Sequence, residues 1–459
     1  MESNEEKKEN IIYLTYKEVS QPFKDLVNAS RALWGVNLSY LIEGITYFGM
    51  LSLLAIYFNN YIGLNDIDAG WMVGIQTAGI TIAMLILGAT VDIVGLRKSL
   101  IISLIVMLAG RILLSVNPVI NIDKGLWSHS HLISFLGILG IIIGYGIYQP
   151  ACYAGVRKLT NEKTSAMGYA MLYALMNLGG FLPGIISPPV RKSYGITGVF
   201  WVYSALTLVG IVVVLFILSN KAIKAASNDE SAEKEEKKKD DRPMKQKVIE
   251  YIKRIPVTDS RFMFFIFILI PVQTLFAHNW LTLPQYCSRA FAGTVSDNFE
   301  FFVNLNPILI FILTPSIAAL TTKRNTYRMM IYGTMVMGLS PFLLVFGPNM
   351  TILLTYLIVM TIGEAMWQPR FLQWVAEIAP KDMTGIYMGI GQFPWFLTKW
   401  MTSLYSGWFL MNYCPQGVMP QQTNTQVMWL IYGFVAIISP IGLILARKWM
   451  LVGFKTKHE

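Results

Sequence analysis

Gly144-Tyr145-Gly146-Ile147-Tyr148-Gln149-Pro150 recurs, without a gap and 219 residues later, as Gly363-Glu364-Ala365-Met366-Trp367-Gln368-Pro369. Each copy lies in a long apolar run. Downstream, Met167-Gly168-Tyr169 opens one run as Thr384-Gly385-Ile386 opens another, so the repeat covers whole groups of segments. Of the 459 residues 54% are apolar and 14% charged, whereas a soluble chain carries about a quarter charged residues. That balance excludes a cytosolic enzyme and a disordered chain. Three cysteines exclude a secreted disulfide scaffold, and the even spread of apolar residues excludes a single-helix anchor.

Twelve runs approach the ~20 residues that cross a hydrocarbon core: 33–58, 68–91, 99–116, 131–156, 165–188, 197–219, 262–286, 299–321, 328–347, 350–376, 384–411 and 425–446. Barrel strands would alternate in ~10-residue segments, so the fold class is all-α integral membrane. With the amino terminus inside, cytoplasmic segments hold 30 of the 37 Lys and Arg, and outer loops hold four: Lys124, Arg191, Lys192 and Arg289. This bias sets orientation and accounts for the net charge of +10 without nucleic acid. Both termini are expected in the cytoplasm, in a bacterial inner or plasma membrane. Met1 to Ser30 is polar, with no cleavable signal peptide. Asn349-Met350-Thr351 fits a glycosylation acceptor but is read as a chance match.

The expected organisation is a cytoplasmic segment over 1–32, six helices over 33–219, a linker over 220–261, six more over 262–446, and a tail over 447–459. The linker's Glu233-Lys234-Glu235-Glu236-Lys237-Lys238-Lys239-Asp240-Asp241 reads as solvated. Val248, Ile249, Ile252 and Ile255 recur at helical spacing beside Lys245, Lys247, Lys253 and Arg254. That pattern fits either a helix on the inner membrane face or an extension of span seven. Parallel six-helix repeats resemble the major facilitator architecture, with a substrate site at midplane between the halves. Gly88-Ala-Thr-Val-Asp92-Ile-Val-Gly95-Leu-Arg97-Lys98 resembles that superfamily's cytoplasmic G-x-x-x-D-R-x-G-R-K, with Ile93 in place of the first Arg. Asp92 there would meet a positive helix end and latch the cytoplasmic side.

Ionisable side chains inside spans are functional candidates. Glu43, Glu364, His278 and Lys399 fall near midplane, and Arg370 nearer the inner surface, as a gate or a structural pair with Glu377. A buried carboxylate either pairs with a cation or gives up its charge by holding a proton, which makes Glu43 and Glu364 candidate proton carriers and His278 a third. Arg111, near the outer end of span three, is expected to snorkel or pack. Tyr40, Tyr47, Tyr145, Tyr148, Tyr173, Trp280, Trp367 and Trp395 lie among these positions and suit an amine-bearing solute. Gly140-x-x-x-Gly144 and Gly385-x-x-x-Gly389 read as close helix packing, and Pro150, Pro369 and Pro394 as kinks.

These residues resemble the proton-coupled oligopeptide transporter family. Glu43-Gly-Ile-Thr-Tyr47-Phe48-Gly49 is similar to its E-R-F-x-Y-Y-G, and Leu172-Tyr173-Ala-Leu-Met-Asn177-Leu-Gly179 to its F-Y-x-x-I-N-x-G. Gln273, Asn306-Pro307 with Pro315, and Gly363-Glu364 followed by Pro369 and Ala379-Pro380 are similar to helices seven, eight and ten. The resemblance implies proton-driven symport of small peptides by alternating access, without a cofactor or metal. It implies that Glu364 holds the substrate amine, that Tyr47, Tyr173 and Asn177 form the pocket, and that Glu43 couples protons. The chain departs from the family at Tyr40 and Gly44, where E-x-x-E-R has Glu and Arg, and at Gln149, where helix four has Lys. Both cations for a substrate carboxylate are thus absent unless Lys399, His278 or Arg370 substitutes, which favours an amine-bearing or neutral solute.

The expected contacts are therefore Glu364, Tyr47, Tyr173, Asn177, Gln149, Trp367, Tyr40 and Lys399 for substrate; Glu43, Glu364 and His278 for protons; and Asp92, Arg97 and Arg370 for gating. The expected partners are a small-molecule substrate, protons and the lipid bilayer, for a monomer that is not an enzyme. An exporter of cationic amphiphiles and a transport-deficient sensor or scaffold are the alternatives. His129 and His131 alone make no metal site. Cys287 and Cys414 fall together at the outer face, where unpaired thiols are favoured over a disulfide.

Overall fold

The computed structural model describes residues 30–120, 123–160, 165–226, 259–321, 324–378 and 384–451. The amino-terminal segment, the linker with its apolar stretch at 248–255, and most of the tail lie outside them. Each of the twelve apolar runs forms a helical unit. In chain order these are α1 (Arg31–Tyr57, widened into a π turn over Phe58–Ile62), α2 (Asp66–Leu87), α3 (Leu96–Ile120), α4 (His129–Leu159), α5 (Ser165–Phe181, resumed at 183–194) and α6 (196–216). They continue as α7 (Ser260–Ile268, Ile270–Leu281 and Leu283–Ala290), α8 (Phe299–Val303 and Leu305–Thr321), α9 (Thr326–Leu339 and Pro341–Leu344), α10 (Met350–Ile378), α11 (Thr384–Tyr413) and α12 (Thr425–Leu451).

Local chemistry sets the ends. Ser30, Asn65, Ser128, Asp259 and Asn325 accept hydrogen bonds from the first free amides of α1, α2, α4, α7 and α9, which satisfies donors that hydrocarbon cannot. Asn349 does the same for α10, its Oδ1 accepting from the Thr351 amide at 2.8 Å. Pro271, Pro284 and Pro341 sit just after the breaks in α7 and α9, where a missing N–H costs least. α5 and α6 run on through a single non-helical residue, Gly195, with φ 67° and ψ −175°. Among the described residues nine continuous segments are long and apolar enough to cross a membrane, and one, Met171–Phe216, has 46 residues. At ~1.5 Å per residue that is more than twice the thickness of a hydrocarbon core, so it crosses twice, turning at Gly195.

α1–α6 pack as one bundle and α7–α12 as another, and the halves meet along α2 with α11, α5 with α8, and α1 with α7. Large apolar side chains such as Leu85, Leu208, Phe216, Phe434 and Leu445 face outward, an arrangement that lipid satisfies and water does not. The repeated glycine has a packing role. A Cβ on Gly144 would meet the Ser103 carbonyl and Met107 on α3, and one on Gly363 would meet the Gly333 carbonyl and Met337 on α9. The shared Gly thus lets α4 and α10 lie backbone to backbone on equivalent neighbours. Gly140 approaches Gly110 in the same seam. The side chains around Gly385 and Gly389 lie outside the described residues.

Candidate functional site

A cavity of about 660 Å3 lies between the halves. Its walls are aromatic: Tyr47 and Phe48 from α1, Tyr145 and Tyr153 from α4, Tyr173 from α5, Phe276 and Trp280 from α7, and Trp395 and Phe396 from α11. Three strongly polar side chains interrupt them. Two are Gln149 and Gln368, at the same place in the two copies of the repeat. Each Gln lies five helical positions after the packing Gly, a rotation of about 140°. One helix therefore seats its Gly against α3 or α9 and turns its Gln into the cavity. The third is Lys399, from α11.

Of the expected substrate contacts, Tyr47, Gln149, Tyr173 and Lys399 line the cavity. The others do not, for reasons of helix phase and covering partners. Trp367 stands four residues after Gly363, only about 40° away. It is carried towards α9, where its Nε1 lies 3.2 Å from Met337 Sδ and 1% of it is exposed. Glu364, 4% exposed, lies one turn along the Gln368 stripe but is covered by α8: Asn306 Nδ2 donates to its Oε2 at 2.8 Å and also reaches Thr361 Oγ1 at 3.1 Å. Tyr40 is buried against the rings of Tyr148 and Tyr153. Asn177 turns back on its own helix, donating to the Tyr173 carbonyl at 2.9 Å.

The proton-carrier expectations also need revision. Glu43 faces the interior of the first bundle, where Arg111 of α3 donates to both carboxylate oxygens and Thr46 Oγ1 donates at 3.0 Å. Both partners of the pair are 1% exposed. Arg111 also binds Thr207 of α6, so the expected snorkelling gives way to a three-helix polar tie. The cation missing at Gly44 is thus supplied from α3, and the pair shares no wall with the cavity. His278 is likewise enclosed: Nδ1 lies 2.7 Å from Thr282 Oγ1, Nε2 is 3.2 Å from the Tyr405 hydroxyl, and the ring stacks on Tyr432 at 3.9 Å.

The described hydrogen bonds of Arg97 and Arg370 fall within their own halves. Arg97 donates to the Leu215 carbonyl at 3.0 Å, and Arg370 to the Thr321 carbonyl at 2.8 Å. The side chain of Glu377 lies outside the described residues. Asp92 is exposed. The described polar bridges between halves all stand at the opposite face, away from the termini. Arg289 grips Asp66 in a two-pronged pair, 2.7 Å on each side. Arg191 pairs with Glu300 and lies over the Phe299 ring at 4.7 Å, while Gln285 reaches Asn59 at 2.7 Å. Small residues close the same seams: Gly74 abuts Ser403, Gly407 abuts the Asp66 backbone, and Gly180 abuts Pro307. Towards the terminal face, Tyr153 and Tyr173 are 43% and 51% exposed. The cavity is therefore sealed at the far face and open towards the termini. Cys287 and Cys414 are buried free thiols.

Sequence reasoning passed over Gln368 and both far-face pairs. The signal for Gln368 was in the repeat itself, since its counterpart Gln149 was chosen. Asp66, Glu300, Arg191 and Arg289 lie near span ends and register in sequence only as loop charge.

The sequence model of the Major Facilitator Superfamily matches residues 36–398. A crystal structure described as the peptide transporter POT in complex with sulfate superposes with a TM-score of 0.72 at 17% identity, over 92% of this chain and 95% of that one. A POT family transporter in complex with 5-aminolevulinic acid gives 0.68 at 17%, over 92% and 97%. A bacterial homologue of the human drug peptide transporters gives 0.68 at 17%, over 92% and 98%. At that identity the likeness is one of fold.

Proposed function

The chain belongs to the major facilitator superfamily, and on that premise we propose that it is a secondary active transporter of a small peptide-like solute, driven by the proton gradient through alternating access. The observation that carries this reading is the cavity between the halves, with Gln149 and Gln368 on opposing helices and one end held shut by two ion pairs. The Lys and Arg distribution puts the sealed face outside and the termini in the cytoplasm, so the state is inward-facing. Opening outward requires Asp66–Arg289 and Arg191–Glu300 to part and the terminal ends of the bundles to close, with Asp92 of the α2 loop then able to meet a helix end.

Glu364 carries the proton in this reading. It is the buried acid of the second bundle nearest the cavity stripe, and among the described residues the Asn306 amide holds it. Glu43 is a structural partner of Arg111. Similarity of fold to peptide transporters and the retained Tyr47 and Tyr173 support a peptide-like solute. The test is uptake into proteoliposomes under an imposed pH gradient. Wild-type protein is expected to concentrate solute only while the gradient lasts, and Glu364→Gln to exchange solute across the membrane without responding to it. Gradient-driven accumulation by Glu364→Gln would remove the assigned role.

A further inference from the structure

Lys399 is the one ionic side chain among the described residues of the cavity wall, and among the described residues it makes no ion pair. The buried acids among the described residues are engaged elsewhere. Glu43 is held by Arg111, Asp66 by Arg289 and Glu300 by Arg191, while Glu364 lies behind Asn306 at 4% exposure. Lys399 shares this wall with Phe276, Trp395 and Phe396, and a charge on a largely apolar wall within the membrane is costly until an anion joins it. A positive solute group finds no carboxylate among the described residues of this wall, whose other polar groups are amides, phenols, indole N–H groups and the Thr77 and Thr81 hydroxyls.

We infer that the cavity selects solutes with one free carboxylate on an apolar or aromatic body, and that a free amino group on the solute is dispensable. Lys399 takes the carboxylate, Gln149 and Gln368 bracket the amide or ester groups, and the aromatic walls take the body. This rests on the transport reading above and narrows it, placing N-acylated amino acids, N-blocked small peptides and aromatic monocarboxylates ahead of free peptides and amines. It also reverses the preference for amines that follows from the absent cations of helices one and four, because α11 supplies a cation those positions lack. The charge balance follows: a monoanion moving with one proton carries no net charge, whereas a zwitterion moving with one proton carries one.

Four matched probes test this: Ala-Phe, N-acetyl-Ala-Phe, Ala-Phe-amide and N-acetyl-Ala-Phe-amide, titrated against the purified full chain in detergent. Acetylation is expected to change Kd by less than about threefold, and amidation to weaken binding by at least ~10-fold. Lys399→Gln should erase the carboxylate preference and Lys399→Arg keep it, each variant being checked by thermal unfolding. The inference is overturned if amidation is harmless, if acetylation costs ~10-fold, if Lys399→Gln keeps the preference, or if none of the four binds at about 10 mM. Reconstituted uptake separates the two readings. Carboxylate-selective binding without gradient-driven flux would sink the transport reading and leave this one standing; gradient-driven flux of the amidated, amine-bearing probe alone would do the reverse.

Discussion

Replacing Arg111 by Met isolates the Glu43–Arg111 tie. With the guanidinium gone, the Glu43 carboxylate keeps Thr46 as its described side-chain donor, in a setting where 1% of it is exposed. Breaking a buried pair by deleting one partner costs about 3–5 kcal/mol. Removing both charges, as Glu43→Gln with Arg111→Met, leaves no buried ion and should recover most of the loss. Thermal unfolding in mild detergent, followed by tryptophan fluorescence, reads the order directly: wild type, then the double variant, then Arg111→Met. An Arg111→Met protein as stable as wild type at pH 7, or a double variant no better than it, would refute the reasoning. Because the pair does not touch the cavity, the double variant should still transport.

Four further outcomes are expected. Arg289→Gln, which releases Asp66 at the far face, should bias the protein outward by about 1–3 kcal/mol; an impermeant thiol reagent added from outside should label a cysteine at Thr77, a cavity residue, ~10-fold faster or more, and an unchanged rate would show that the pair does not hold the seal. Gly74→Leu should act similarly without any charge change, since its Cβ would overlap Ser403 and keep the α2–α11 seam from closing; the expected signature is retained folding with lost uptake. Gly363→Leu, pressed against the backbone of α9, should lower stability by about 1–3 kcal/mol, and Gly144→Leu by a similar amount if the two repeats pack alike. The mass of the intact chain should be the same with and without reductant, as expected for free thiols at Cys287 and Cys414, and a two-dalton difference would reveal a disulfide.

The fold was legible because lipid leaves few options. Apolar runs of membrane length must be helices, basic residues report sidedness, and a gapless repeat such as Gly144–Pro150 with Gly363–Pro369 implies duplicated packing. The site was legible where a residue's direction followed from its helix. Tyr47, Tyr173, Gln149 and Lys399, read from sequence as substrate contacts, line the cavity, and Gln368 follows by symmetry. What failed was direction and partnership. Depth along a helix says nothing about which side a carboxylate faces, so Glu43 looked like a free midplane acid although Arg111, 68 positions later, closes on it. Trp367 sat at the right depth and in the wrong phase, a distinction of about 100° that the packing Gly363 already encoded. The far-face pairs join residues more than 100 positions apart, a separation over which loop charges carry no local pattern.

The most direct test of the account is flux. Purified protein in proteoliposomes, given an inward acid gradient and radiolabelled N-acetyl-Ala-Phe outside, should accumulate the probe above its external concentration, and a protonophore should abolish the accumulation. A protein that binds the probe and is stabilised by it, yet moves none across the membrane under either gradient direction, would contradict the central claim.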